Sequence, residues 1–428
     1  MRIFFSVGEP SGDVHGANLV RALRDRRGDV ECVGYGGPKM AEAGAALDVD
    51  LTQHAVMGIL PALGRLPTFL GLASRADRSF RHRRPDAVVL IDFPGFNWWI
   101  ARRAKAHGIP VFYYVPPQIW AWLSYRVAKM RRSVDHILCS LPFEPEWYAR
   151  RGCTGARYFG HPFFDAVRQR PLDEAFVGEQ RSDARPLVAI LPGSRTQEVR
   201  STLPMFLRTA AAVARQVPGV RFAVGAYKPH QARLAEQLIA DERRRDATFD
   251  VPVYLGRTPE LMHAARCCLA CSGSVSLELL HHAKPTVIGY RAAWWMDKLQ
   301  DRLRNFEYVT LVNMLSTGRV ERDREAERLR GTSRHPRDGV GEPGVLFPEF
   351  WDRGDHAPEM ARHLVRWLTD DADYRRTVTR LEELRDRVGR PGASQRVADY
   401  VLNSVKPSKR PPARPHYLSS NSATTTIG

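Results

Sequence analysis

An α/β fold built on parallel sheets is predicted for this chain by two observations, and a third divides it in two. Short apolar runs alternate with polar stretches of helical character from the first residue onward. The runs are continuous rather than alternating, which is how a strand buried on both faces reads and marks a parallel sheet covered by helices. Two such series are separated between Pro171 and Pro186 by a polar stretch that includes Gln180, Arg181, Ser182 and Asp183, an expected interdomain linker.

In the first series the candidate strands are Ile3 to Val7, Ala87 to Ile91, Val111 to Val115 and His136 to Leu141. In the second they are Leu187 to Leu191, Arg221 to Gly225, Cys267 to Cys271 and Thr286 to Tyr290. Two stretches break the pattern. Glu321 to Gly344 is dense in charge and then in Gly and Pro, and is expected to form a solvated helix and an irregular loop. The segment from Lys406 to Gly428 combines Pro, Ser and Thr with the cations Lys406, Lys409, Arg410 and Arg414, and is expected to be a disordered basic tail.

The length of 428 residues with 43% hydrophobic content suits about two or three domains. A formal net charge of +17 and a pI near 10.0 point to an anionic partner: nucleic acid, an acidic membrane face or a phosphorylated substrate. Charge alone does not choose among them. The six cysteines lie mostly in apolar runs, as buried free thiols do in a reducing cytoplasm. Strand alternation would split Cys267, Cys268 and Cys271 between two faces, and no second ligand pair follows, so no metal is expected. Met1 to Glu9 is too short an apolar stretch for a signal peptide, and no span approaches the ~20 apolar residues of a transmembrane helix. The expected location is cytoplasmic.

Met57 to Ala73 is apolar, with Met57, Ile59, Leu60, Leu63, Leu66, Phe69 and Leu70 as its large side chains, and is broken by Pro61 and Pro67. Arg75, Arg78, Arg81, Arg83 and Arg84 follow, against Asp77 alone. An apolar segment beside a cationic one suits the surface of an anionic bilayer; a core helix followed by a solvated basic helix would read the same.

The chemistry gathers where strands end. Leu187 to Leu191 runs into Pro192-Gly193-Ser194-Arg195-Thr196-Gln197-Glu198-Val199, a glycine turn onto a helix start. Unpaired N–H groups and the helix dipole favour an anion there, and Arg195 adds a phosphate-gripping side chain. Cys271-Ser272-Gly273-Ser274-Val275-Ser276-Leu277-Glu278 repeats the arrangement, and two such turns suggest a bound diphosphate; each alone also reads as a plain capped turn. The first strand empties into Gly8-Glu9-Pro10-Ser11-Gly12-Asp13, where acids suit hydroxyl recognition or proton transfer. Asp92 follows the strand ending at Ile91 and precedes Phe93, Pro94, Gly95, Phe96 and Asn97. Desolvated among aromatics it would be a proton acceptor near neutrality; as a helix cap it would be architecture.

These motifs occur in one order with Gly36-Gly37-Pro38-Lys39-Met40, Val56-Met57-Gly58-Ile59, Pro117-Gln118-Ile119-Trp120-Ala121-Trp122, Leu141-Pro142-Phe143-Glu144, Gly160-His161-Pro162 and Gly289-Tyr290-Arg291. From Met1 to Asn313, and again at Pro348-Glu349-Phe350, the chain closely resembles the lipid-A-disaccharide synthases, bacterial glycosyltransferases of the GT-B class. The resemblance implies two Rossmann-like domains facing a cleft: residues 1–170 for the acceptor and membrane, and 186–374 for the donor, with the charged insertion 321–344. It also implies that residues 375–405 pack back on the first domain as a C-terminal helix. The implied reaction transfers 2,3-diacylglucosamine from UDP-2,3-diacylglucosamine to 2,3-diacylglucosamine 1-phosphate with inversion, releasing UDP, at the inner face of the inner membrane.

By the same resemblance Asp92 is the base; Gly193, Ser194, Arg195, Ser272, Gly273, Ser274, Glu278 and Asn313 belong to the UDP side; and Glu9, Ser11 and Asp13 line the acceptor side. The Met57 to Ala73 patch matches the family's membrane-contacting region, no cofactor or nucleic acid is implied, and a homodimer exchanging C-terminal segments is. Four features depart from the family: Leu311-Val312-Asn313 where Leu-Pro-Asn is usual, the insertion itself, Trp351-Asp352 at a donor contact, and Gly95 in place of a second aspartate. The rival readings are another GT-B UDP-sugar transferase or epimerase, and a non-catalytic basic protein that binds RNA or membrane.

Overall fold

The computed structural model describes residues 1–54, 66–244, 251–291, 305–321, 342–351 and 354–405. Met57, Ile59, Leu60 and Leu63, nearly all of the 321–344 insertion, Asp352 and the 406–428 tail lie outside the described residues.

The first sheet holds β1 (Arg2–Val7), β2 (Glu31–Gly36), β3 (Ala46–Asp50), β4 (Ala87–Ile91), β5 (Val111–Tyr114), β6 (His136–Cys139) and β7 (Ala156–Tyr158). All are parallel, in the order β3-β2-β1-β4-β5-β6-β7. The second sheet repeats the plan with β8 (Leu187–Leu191), β9 (Arg221–Ala226), β10 (Val253–Leu255), β11 (Cys267–Cys271), β12 (Thr286–Gly289) and β13 (Glu349–Phe350), ordered β10-β9-β8-β11-β12-β13. Each sheet is wound outward from its first strand in both directions, the doubly wound order. All eight strands expected from continuous apolar runs are present; β2, β3, β7, β10 and β13 are additional.

Alternation sorts the side chains. Ile3, Phe5 and Val7 share one apolar cluster with Ala87, Val89 and Ile91, while Phe4, Val88 and Leu90 face the opposite cluster. In the second sheet Cys267 and Leu269 pack on one side with Val188 and Ile190, and Cys268 and Ala270 on the other with Ala189 and Leu191. Burial on both faces explains why these strands read as unbroken hydrophobic runs.

The C-terminal part divides. Helix Asp371–Val388 packs through Leu381, Leu384 and Val388 beside the second sheet's helices, and the crossing to the first sheet comes only after it. Helix Ala393–Ser404 then places Val397, Ala398 and Val401 in the cluster of Ile3 and Phe5. The crossing therefore begins near Gly389, where the sequence placed it from residue 375. Polar contacts seat the helix: Arg26 to Asp399 at 2.7 Å, His136 Nδ1 to Tyr400 Oη at 2.9 Å, Arg396 Nε to the Phe159 carbonyl at 2.9 Å, and the buried Asp165 carboxylate, which accepts from the N–H groups of Gly392 (2.6 Å) and Ser394 (3.0 Å).

Asp165→Ala leaves both of those buried N–H groups without their acceptor, which costs about 1–3 kcal/mol for each group stranded. Urea denaturation should show an earlier midpoint with the far-UV spectrum intact; an unmoved midpoint would mean that the Asp165 contacts do not hold the crossing.

Candidate functional site at the facing switch points

In a doubly wound sheet ligands sit beyond the carboxyl ends of the strands, where the winding reverses. That point lies between β1 and β4 in the first sheet and between β8 and β11 in the second. Glu9 follows β1, Asp92 follows β4, Gly193 to Arg195 follow β8, and Ser272 to Ser274 follow β11, so the fold brings four sequence-marked turns to the two reversal points. The halves are electrostatically in reach of each other. Burial and the neighbouring Asp92 carboxylate push the Glu9 carboxyl above its ordinary range, while Arg195, from the other sheet, pulls it down.

Asp92 sits in an uncommon turn. It and Phe93 both adopt left-handed backbone, with φ of 47° and 46°. The Phe93 ring lies against Gly8, where an added Cβ would come within 2.4 Å of it, so only glycine fits there. The N-cap of helix Pro94–Ala106 is Phe93, not Asp92, and the Asp92 Oδ1 accepts from the Phe93 N–H at 3.0 Å. The capping explanation therefore fails. Desolvation raises the Asp92 carboxyl above the usual carboxylate range, with the Phe93 N–H opposing.

The remaining acceptor-side residues separate. Glu9 is half-buried just after β1, and Ser11 is exposed in the first turn of helix Pro10–Arg26. Asp13 is buried, and its carboxylate accepts from the N–H groups of Gly37 (3.0 Å), Lys39 (3.0 Å) and Met40 (3.1 Å), anchoring helix Pro38–Glu42. The sequence placed Asp13 on the acceptor side; three backbone donors leave that carboxylate an architectural task.

On the donor side the first turn holds an anion of its own. Gly193, at φ 121°, wraps the turn around Glu198, whose Oε2 accepts from the N–H groups of Ser194 (3.0 Å) and Arg195 (3.1 Å). The sequence expected those N–H groups to be open. They are closed by a capping carboxylate, and the exposed Arg195 guanidinium rests on its other oxygen at 2.7 Å. In the second turn Gly273 and Ser274 are exposed, and Ser272 Oγ donates to the Val309 carbonyl at 3.4 Å.

Glu278 is buried on helix Val275–His281 and pairs with Arg170 at 2.7 Å; burial raises its carboxyl, and Arg170 opposes. It lines a cavity of about 790 Å³ together with Arg168, Arg170, Arg181, His281 and Lys284. Asn313 is elsewhere. Its side chain is wholly buried, with Nδ2 donating to Phe347 O (2.7 Å) and Glu349 Oε1 (2.8 Å), and Oδ1 accepting from Leu346 N (2.9 Å) and Phe347 N (3.0 Å). Every hydrogen-bonding position of that amide is taken, so the residue expected at UDP instead ties helix Leu311–Thr317 to β13. Among the described residues no group of three His, Cys, Asp or Glu side chains is placed to hold a metal ion.

Arg170, the partner of Glu278, was not singled out from sequence. Glu198 was readable, since it stands three residues past Arg195 at capping-box spacing.

Two doubly wound domains whose switch points face each other, with the last described helix returning to the first sheet, define the GT-B architecture. The fold is shared with Staphylococcus aureus MnaA, solved with UDP (TM-score 0.60, 12% identity, covering 95% of this chain and 99% of that one). It is shared also with Acinetobacter baumannii MurG (TM-score 0.53, 13% identity, 94% and 99%). Residues 3–323 match the lipid-A-disaccharide synthetase family. The lipid-A-disaccharide synthase of Anaeromyxobacter dehalogenans strain 2CP-1 is 33% identical over 406 residues, 95% of this chain and 98% of the relative. That of Azoarcus sp. strain BH72 is 35% identical over 375 residues, 87% and 88%. The chain belongs to the lipid-A-disaccharide synthetase family.

Asn313→Ala removes four buried hydrogen bonds and should destabilise by more than about 2 kcal/mol. Calorimetry on the folded fraction should find UDP affinity unchanged; a selective loss of UDP binding at wild-type stability would return Asn313 to the donor site.

Proposed function

We propose that the four turns form one active site, in which Asp92 is the general base and Arg195, the Ser272 to Ser274 turn and Glu278 hold UDP. As a member of its family the chain transfers 2,3-diacylglucosamine from UDP-2,3-diacylglucosamine to 2,3-diacylglucosamine 1-phosphate. The observation that carries the assignment is the half-buried Asp92 carboxyl, raised by desolvation and free of a helix-capping role, at the switch point facing Arg195. The acceptor 6-hydroxyl attacks the anomeric carbon as its proton passes to Asp92, the bond to the diphosphate breaks with inversion, and UDP leaves. Charge gathers on the departing phosphate, where a guanidinium stabilises the transition state more than the ground state. The nucleoside end lies toward the cavity beside Glu278, whose carboxylate suits ribose hydroxyls once Arg170 yields it.

The membrane side rests on helix Leu66–His82. It buries Ala73, Ala76 and Phe80, exposes Leu66 and Leu70 (41% and 40%), and carries Arg75, Arg78 and Arg81. Phe69 does not belong to that contact: its ring packs on Phe93 and Phe96, with centroids 5.9 and 5.4 Å away. No described helix is long and apolar enough to cross a membrane. The proposed location is the cytoplasmic face of the inner membrane, held through the exposed leucines and the basic helix. A homodimer formed by exchanging C-terminal segments would seat helix Ala393–Ser404 on the same surface of a second copy.

Asp92→Asn should fold, bind UDP normally and turn over about 10²- to 10⁴-fold more slowly. The base acts deprotonated, so the wild-type rate should fall as pH drops through the raised Asp92 pKa, above the ordinary carboxylate range. That limb should vanish in Asp92→Asn and persist in Glu9→Gln; the reverse would make Glu9 the base. Arg195→Ala should weaken UDP binding measured by calorimetry and slow transfer, and wild-type values for both would place the diphosphate elsewhere. Leu66→Ser with Leu70→Ser should reduce flotation with phosphatidylglycerol vesicles at unchanged circular dichroism, because interfacial binding scales with buried apolar area. Unchanged flotation would remove this helix from the membrane contact.

A further inference from the structure

The turn that carries Asp92 holds a conformation its own residues resist. Two consecutive residues with side chains at φ near +47° persist only where the surroundings over-determine them. Here the restraint acts on the Asp92 carbonyl. It accepts from Asn97 Nδ2 at 2.7 Å and from Tyr113 Oη at 2.7 Å, both donors belonging to wholly buried side chains. Asn97 also ties the ends of β1 and β4 together: its Oδ1 accepts from Ser6 Oγ at 2.6 Å, and its Nδ2 reaches Ser6 O (3.2 Å) and Ile91 O (3.3 Å). Tyr113 comes from β5, the strand paired with β4, with its ring beside Trp98 at 5.7 Å.

The two donors draw the carbonyl into the protein while the carboxylate of the same residue is left half-buried. Among the described residues the carboxylate has one hydrogen-bond donor, the next N–H in the chain. Among the described residues no other hydrogen bond fixes where it points, so its direction follows from the backbone beneath it.

We propose that Asn97 and Tyr113 are positioning residues for the transfer reaction: by gripping the Asp92 carbonyl they hold the left-handed turn that aims the carboxylate at the acceptor hydroxyl. The inference rests on Asp92 being the base. A misplacement of about 1 Å at a reacting group can cost on the order of 10²-fold in rate. Relaxing the turn toward ordinary backbone would swing the Cα–Cβ bond of Asp92 and produce such a misplacement with every cleft residue intact.

The test is a double-mutant cycle with Tyr113→Phe, which deletes one hydroxyl and keeps the ring, and Asp92→Asn, using UDP-2,3-diacylglucosamine and the 1-phosphate acceptor. Tyr113→Phe should lower kcat by about 10- to 10²-fold with donor KM, UDP stoichiometry and UDP affinity unchanged. The double variant should be no slower than Asp92→Asn, because the hydroxyl acts only through that carboxylate. A merely structural role would instead reduce the UDP-binding fraction and slow the Asp92→Asn enzyme further, and either result overturns the proposal. So does wild-type kcat in Tyr113→Phe when Asp92→Asn is slow. Wild-type kcat in Asp92→Asn is distinguishable from these: it removes the base assignment and the inference with it. Asn97→Ala should reproduce the Tyr113→Phe effect; should it fail to fold, the tyrosine arm decides alone.

Discussion

Backbone N–H groups stranded where a buried parallel strand ends or a helix begins must find acceptors, and this chain meets that demand repeatedly with carboxylates. Asp13 takes three of them at Gly37, Lys39 and Met40, and Glu198 takes two at Ser194 and Arg195. The wholly buried Glu144 takes those of Ser140 (3.0 Å) and Leu141 (2.9 Å) with the Trp120 indole (3.2 Å), and Glu349 takes those of Val309 (2.7 Å) and Thr310 (2.9 Å). In a sheet covered on both faces water cannot do this work, and an unpaired group would cost more than the bond itself contributes. Burial pushes Glu144 up to about 7 against the pull of its donors, the electrostatic cost of using charge for architecture. With these turns pinned, the cleft's geometry becomes a property of the scaffold. Arg195 stands on a turn whose Ser194 and Arg195 N–H groups are already satisfied, and its exposed guanidinium rests on the same Glu198.

The sequence was most legible where burial is symmetric. Strands β1, β4, β8 and β11 form the centres of their sheets, are covered on both sides, and announce themselves as apolar runs. The strands that escaped notice have physical reasons to be quiet: β2 carries two glycines in Cys32-Val33-Gly34-Tyr35-Gly36, β3 lies at a sheet edge with Asp48 and Asp50 half or fully exposed, and β13 is two residues long. Turn positions could be read because Gly, Ser and Pro punctuate them. What a side chain in a turn touches could not. Asp13 and Asp92 are both acids just beyond a central strand, and only the fold shows one buried against a helix start and the other facing the cleft. Asn97 meets Ser6 across 91 residues of chain, a pairing with no local signal.

Within the described residues the polypeptide passes between the two halves twice, once through the stretch after Arg170 and once through Gly389 to Gly392. Two tethers leave fewer degrees of freedom than one: the line joining them is an axis, and opening or closing becomes rotation about it, with sliding suppressed. The Glu278 cavity is walled by both tethers, by Arg168 and Arg170 at the first and by Arg385, Gly389, Arg390 and Pro391 at the second. A point on a hinge line moves least when the leaves swing. The turns that carry Asp92 and Arg195 belong to opposite leaves, so rotation about that line changes the distance between them while the cavity walls stay together. What that line holds still is the cavity wall; what it opens and closes is the approach of one sheet's turns to the other's.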